Sequence, residues 1–167
     1  MLVAIFVFVL IVLTSVSVFA SIVRSRSNSR KIQSHLEISR AALDQMAKDL
    51  RMSTKLDTRN GNASDTRIFM YNNSRGLCIA YSFNTSAGHQ QLEMGYADAP
   101  DNRDCSSVSF SNFKPITQGD VTNGRFFVTK TESSSPFVIG KATVVMTVDS
   151  EKIQTSVSFR DYAGIIQ

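Results

Sequence analysis

The stretch MLVAIFVFVLIVLTSVSVFASIV, residues 1–23, decides how the rest of the chain is read. It carries no charge, no glycine and no proline. About 20 apolar residues in a helix, rising about 1.5 Å each, match the ~30 Å hydrocarbon core of a bilayer. A helix apolar on every side has no wet face, so it belongs in lipid or among similar helices. Nothing in the run carries chemistry; function must come from what it anchors or what it packs with. Thr14, Ser17 and Ser21 fall on one face (i, i+3, i+7), where small polar residues let helices approach closely and hydrogen-bond across the contact. The alternative is that they bond back to carbonyls of their own helix. Residues 14–18, all Ser, Thr and Val, are the weakest helix formers of the run and the expected place for it to loosen.

Working outward, the next segment is basic. Of 18 Lys and Arg and 14 Asp and Glu in the chain, residues 24–55 hold 8 and 3, which leaves 10 and 11 for residues 56–167. The positive excess therefore sits just beyond the apolar run, where anionic head groups would be its expected partner, and the net charge of +4 is no sign of a nucleic-acid-binding domain. From Ser25 to Lys55 there is still no Gly or Pro, and Ile32, Leu36, Leu43, Met46 and Leu50 form one apolar stripe at helical spacing. Arg40, Asp44 and Lys48 follow one another at i,i+4 on the opposite, wet side. Carried to about Thr54, such a helix is ~80 Å long. A body of about 110 residues cannot bury it all. Its first half is expected to protrude, and the striped second half to lie against a domain.

After Lys55 the pattern changes. Residues 57–65 are loop-like around an Asn60–Gly61 turn. Strand-like runs follow at 67–71, 77–83, 90–96, 125–131, 137–148 and 152–160. The last two read as a hairpin turning at Asp149–Glu151, with Ile153, Thr155, Val157 and Phe159 on one face. Residues 97–118 lack periodicity and read as a surface loop. The expected fold is α+β: a long N-terminal helix, membrane-spanning then amphipathic, packed on a mostly antiparallel β head. Three parts follow: a hydrophobic transmembrane or filament-core helix at 1–23, its amphipathic continuation at 24–55, and a β-rich head at 56–167.

This layout, with LVAIFVFVLIVLTSVSVF running without a break into a basic and then amphipathic helix, resembles the type IV pilins and type II secretion pseudopilins. The opening MLVAIF is similar to the segment after the processing site in that family, and the closing KIQTSVSFRDY resembles the last strand of its J-type or W-type minor members. The middle of the chain shows no such likeness. The family's cleavage glycine and early glutamate are missing, the first acidic residue being Glu37. The resemblance implies either a chain that starts inside the family's first helix, which the alignment of Met1-Leu-Val-Ala with the interior of that segment favours, or a member that lacks the glutamate. Its usual Gly/Pro helix breaker is also missing. The resemblance implies a structural subunit that assembles through its apolar helix with copies of itself or related subunits. It would be a single-pass membrane protein before assembly, with an extracytoplasmic head, and part of a cell-surface filament after passing through an assembly machinery.

Arg24, Arg26, Arg30 and Lys31 alone would place that end in the cytoplasm, the opposite orientation, unless a basic leader precedes the apolar run. Cys78 and Cys105 favour an exterior head, because an even pair in a small extracytoplasmic domain forms a disulfide; the alternative is two unrelated buried thiols.

No enzyme is expected. His35 lies on the stem, and although Cys78 and His89 pair on paper as nucleophile and base, no third group orients them. Asp98, Asp101, Asn102 and Asp104 make a carboxylate-rich loop and a weak calcium candidate, without EF-hand spacing or its turn glycine; no other cofactor is implied. Asn62, Asn72 and Asn84 head glycosylation-type triplets of a kind that arises by chance in Asn/Ser-rich loops. The second functional reading is a membrane-anchored extracytoplasmic binding or adhesion domain that never polymerises. It leaves unexplained about 30 further residues of unbroken helix.

Overall fold

The computed structural model describes residues 2–58, 64–86, 89–129 and 140–158. Helix α1 spans Leu2–Arg51. It contributes to two compact units, Met1–Ser34 and His35–Gln167. Over residues 3–34 of the first unit the helix is exposed on all sides.

In the second unit, α1 is the element against which the sheet is laid. Leu43, Met46 and Leu50 are buried, Leu36 packs at their margin, and Ile32 is exposed, so the apolar stripe becomes a contact only from Leu36 onward. Arg40, Asp44 and Lys48 lie on the solvent side, as their spacing predicts. The helix stops at Arg51: Met52 N–H donates to the Lys48 and Asp49 carbonyls, and Ser53 Oγ donates to the Asp49 carbonyl. These bonds satisfy carbonyls that a helix end leaves open.

No loop separates helix from sheet. Strand β1 (Ser53–Thr58) starts two residues after α1. There follow β2 (Ser64–Asp65), β3 (Arg67–Asn72), β4 (Leu77–Ser86), β5 (His89–Asp98), a 3-10 turn (Cys105–Ser107), β6 (Lys114–Pro115), β7 (Val121–Thr129), β8 (Lys141–Val148) and β9 (Glu151–Ser158). The sheet order is β1-β3-β4-β5-β7-β8-β9, with β2 on β7 and β6 on β5, and every pairing is antiparallel.

The weakest seam lies between β5 and β7, which share the single pair Gln90–Val121. Side chains take over where the ladder opens. Thr117 Oγ1 accepts Leu92 N–H at 3.1 Å, and Gln90 Oε1 accepts Gly124 N–H at 2.8 Å. Gly124 leaves room for the Phe83 ring, which packs on Phe126 with centroids 4.7 Å apart; a Cβ at 124 would overlap Phe83.

The head has two cores because the sheet is covered on both faces. Met46 and Leu50 meet Ile68, Tyr81, Leu92 and Met146 on the inner face. Phe69, Tyr71, Cys78, Ala80 and Cys105 form the outer cluster.

The final hairpin follows its alternation: Ala142, Val144, Met146 and Val148 of β8 are buried, and on the edge strand β9 only Val157 is. Asp149 and Ser150 turn it with φ of 48° and 77°, the positive pair that a tight hairpin requires. Several boundaries differ from the sequence reading. The helix does not reach Thr54, because β1 has begun by Ser53; residues 57–58 and 64–65, read as loop, belong to β1 and β2; β4 runs on to Ser86 and β5 to Asp98; and β7 begins at Val121, not 125. The early part of β7 is disguised by an irregularity between Thr122 and Arg125, with Asn123 at φ 53°, which breaks the alternation. Residues 130–131, 137–139 and 159–160, together with the Asn60–Gly61 turn and Asn62, lie outside the described residues.

Removing residues 1–23 is expected to give a soluble monomer, since the stripe from Leu36 onward is covered within the head; large oligomers in sedimentation without detergent would contradict this. In that protein, Met46→Ala should cost ~2–5 kcal/mol in urea unfolding. Ile32→Ala should cost little, because Ile32 is exposed.

Candidate functional site

Three regions of the chain have a geometry beyond what folding needs. The first is the apolar stretch of α1, the one helix among the described residues long and apolar enough to cross a membrane. Its large side chains are exposed all round: Phe6, Phe8, Leu13 and Phe19 are each more than 60% accessible. Thr14, Ser17 and Ser21 are exposed on it as well. Within the chain, Thr14 Oγ1 donates to the Ile11 carbonyl and Ser17 Oγ to the Thr14 carbonyl, at 2.9 and 2.8 Å. Such bonds satisfy a hydroxyl that faces lipid and leave its lone pairs to accept from a neighbour. Residues 14–18 remain helical. Immediately beyond, Arg24, Arg26, Arg30 and Lys31 are exposed.

The second region is the outer face of the head. Cys78 on β4 and Cys105 in the 3-10 turn are joined, with Cα atoms 5.5 Å apart. The stretch after β5 was expected to be a surface loop; much of it is instead a cover. Phe110 stacks on Phe69 at 5.6 Å, Phe113 reaches Gly95, and Val108 packs beside them. Two arginines close the edges, Arg67 over Phe113 at 4.9 Å and Arg103 over Tyr71 at 5.3 Å. The loop has too little apolar surface to fold alone, and the disulfide holds it in place. The pair encloses 27 residues of separation. A cross-link over a loop of that size is worth ~3 kcal/mol through the entropy of the unfolded chain.

The calcium candidates lie at the start of this cover. Asp98 ends β5, Asp101 sits in an exposed turn, and Asp104 Oδ1 accepts Ser106 N–H and Oγ–H, capping the 3-10 turn. Among the described residues no three His, Cys, Asp or Glu side chains converge as a metal site. Cys78, being bonded, has no thiolate to offer His89.

The third region was invisible in the sequence. Both histidines pair with aspartates at one end of the head: His35 Nδ1 lies 2.6 Å from Asp149 Oδ2, and His89 Nδ1 lies 3.1 Å from Asp120 Oδ1. The two aspartates are tied to each other, since Asp120 N–H donates to Asp149 Oδ1 and Asp149 N–H to the Asp120 carbonyl. Gly119, at φ +88°, lets the backbone pass against His35; a Cβ there would lie 2.6 Å from the ring nitrogen. This contact fixes the first turn of α1 that belongs to the head. Burial raises the Asp149 carboxyl pKa, but the His35 hydrogen bond, the Asp120 N–H and the His35 charge outweigh it and hold the group below its usual value.

At the other end of the docked helix, buried Asp49 accepts Tyr81 O–H at 2.8 Å and Asn72 Nδ2–H at 3.4 Å. Burial pushes the Tyr81 phenol far up, helped by the Asp49 charge and hydrogen bond. Asn72 Oδ1 meanwhile accepts the N–H groups of Ser74 and Arg75, forming the β3–β4 turn. In the folded head the Asn72 side chain is buried and engaged, whereas Asn84 is exposed. The single sequence sign of this pin was a lone acid, Asp49, on the otherwise apolar face of the stem.

No protein-family model, characterised protein or solved structure matches this chain.

Two outcomes follow from these contacts. Replacing Cys78 and Cys105 with serine should lower stability by ~3 kcal/mol and expose residues 99–113 to limited proteolysis while β7–β9 stay protected. Asp149 contributes stability above the unfolded carboxylate value near pH 4, and loses it as pH falls through its lower folded value. The gap in melting temperature between wild type and Asp149→Asn should therefore be present at pH 6 and close toward pH 2.

Proposed function

We propose that this chain is a structural subunit of a type IV pilus-like or pseudopilus filament. One observation carries the reading: a single 50-residue helix is apolar and exposed on every side at one end and forms the keel of an antiparallel head at the other. The apolar end has two acceptable environments, a bilayer and a bundle of like helices. In water it would lose ~25 cal/mol for every Å² of apolar surface left exposed. In lipid it gains nothing hydrophobic by meeting a neighbour, so packing and interhelical hydrogen bonds must supply the attraction. A subunit able to move from one environment to the other needs an unbroken apolar helix, a head that folds by itself, and some side of the helix that neighbours can tell apart.

The resemblance of the first 23 residues to that family points the same way, and the Cys78–Cys105 bond suits a head outside the cytoplasm. Before assembly the subunit sits in the membrane by its apolar helix. Afterwards that helix lies in the filament core beside copies or related subunits, delivered by an assembly machinery. A plain membrane anchor would need neither the exposed helical turns of residues 24–34 nor a helix continuing into the head as its central element.

The side that neighbours recognise is assigned to Thr14, Ser17 and Ser21. Ser17→Leu with Ser21→Leu should leave membrane insertion intact or improve it, while lowering the number of filaments counted by electron microscopy at matched protein levels. Normal filaments in the double variant would show the stripe to be incidental. A wild-type protein that inserts but never forms filaments with its partner subunits would favour the membrane-anchored, non-polymerising domain.

A further inference from the structure

The cationic turn after the apolar run is one-sided. At about 100° per residue, Arg24, Arg26, Arg30 and Lys31 fall within an arc of about 160° of α1. The remaining arc carries Ser25, Asn28, Ser29 and Ile32, with no charge. On the basic side, Arg26, Arg30 and Lys31 flank a shallow groove lined also by Val23, Ser27 and Ser34. No carboxylate among the described residues bridges to any of the four cations, and the first acid in the chain is Glu37. Arg26 and Arg30, like charges at i,i+4, repel each other along the helix. An anion in the groove would relieve that repulsion and find hydroxyl donors on Ser27 and Ser34.

We propose that this side of α1 docks anionic phospholipid head groups. The inference rests on residues 1–23 spanning a bilayer. It commits to lipid over free phosphate because of position: the groove abuts Val23, where the apolar run ends, and residues 24–31 rise ~10 Å through the depth of the head-group layer. Lys and Arg at that depth attract anionic lipid, and their long stems reach back along the apolar surface. Followed down the same helix, Thr14, Ser17 and Ser21 fall on the uncharged arc. Docked lipid therefore turns the basic side of the subunit toward the bilayer and leaves the small-residue side open to a neighbouring helix.

The test is lipid selectivity by spin-label resonance. The full chain is reconstituted in phosphatidylcholine bilayers with a trace of spin-labelled phosphatidylglycerol or spin-labelled phosphatidylcholine, and the motionally restricted fraction is measured for each. Relative association of the anionic label should exceed that of the zwitterionic one by about threefold or more at low salt. The preference should fall toward unity in 1 M NaCl, where the screening length shrinks to about 3 Å. Substituting Arg24, Arg26, Arg30 and Lys31 together with Gln should abolish it while the restricted phosphatidylcholine remains; Arg40→Gln with Lys48→Gln should leave it unchanged. Equal association of both labels in the wild type, or a preference that survives the fourfold substitution, overturns the proposal with the membrane reading intact. Loss of the preference to inorganic phosphate, beyond that caused by chloride at equal ionic strength, overturns the lipid assignment in favour of a free phosphate anion. No restricted lipid of either kind defeats the membrane reading itself, and the proposal with it.

Discussion

The burial of Leu43, Met46 and Leu50 against Ile68, Tyr81 and Leu92 is the contact on which the rest of the head depends, because among the described residues only α1 covers the inner face of the sheet. An antiparallel sheet with one apolar face left in water is marginal at best. Here the helix that covers it also continues directly into its edge strand, since α1 ends at Arg51 and Ser53, whose Oγ donates to the Asp49 carbonyl, begins β1. The strand leaves the helix at a fixed point, and β3 is registered against it from Ser53–Asn72 onward. The same few residues hold the Asp49 pin. A buried carboxylate near a helix C-terminus, where the dipole disfavours it, is tolerable only with donors at hand. Tyr81 and Asn72 supply them, which makes the helix sensitive to rotation or sliding on the sheet.

The outer face solves the same covering problem differently. Among the described residues no second helix lies on Phe69 and Tyr71; an irregular segment covers them, held by the disulfide and sealed by Phe110, Phe113 and two stacked guanidinium groups. A covalent link substitutes for apolar area that the loop lacks. Such a device suits an oxidising compartment, consistent with the proposed extracytoplasmic head.

Helix α1 divides into three lengths with different demands. Residues 3–23 are exposed, almost wholly apolar and without charge, the exposed turns after them are basic, and the docked turns from His35 to Arg51 belong to the head. The His35–Asp149 contact marks the start of the last length, and Asp49 lies near its end. For a subunit proposed to exchange lipid for neighbours, this arrangement confines the change of environment to the first two lengths. The head keeps its own contacts throughout.

Much of this was legible in the sequence where the deciding property is local. A charge-free run long enough for a bilayer, the 3.6-residue stripe from Leu36 to Leu50, and the two-residue alternation of β8 each depend only on near neighbours along the chain. The Cys78–Cys105 pairing was legible because the sequence holds two cysteines and no more. Other features were decided by the tertiary structure alone. Strand β1, reading STKLDT, has no alternation to show; it is a strand because Asn72 and Tyr71 lie beside it. The start of β7 is hidden behind a bulge, and residues 99–113 look like solvent loop until the sheet beneath them is known to have an open apolar face. Asp49, Tyr81 and Asn72 lie up to 32 residues apart, and His35 and Asp149 lie 114 apart. Periodicity records which side of an element is apolar, and the chain itself carries that information. Which distant polar groups meet depends on strand order and register, and those are set only when the helix and all its strands are packed together.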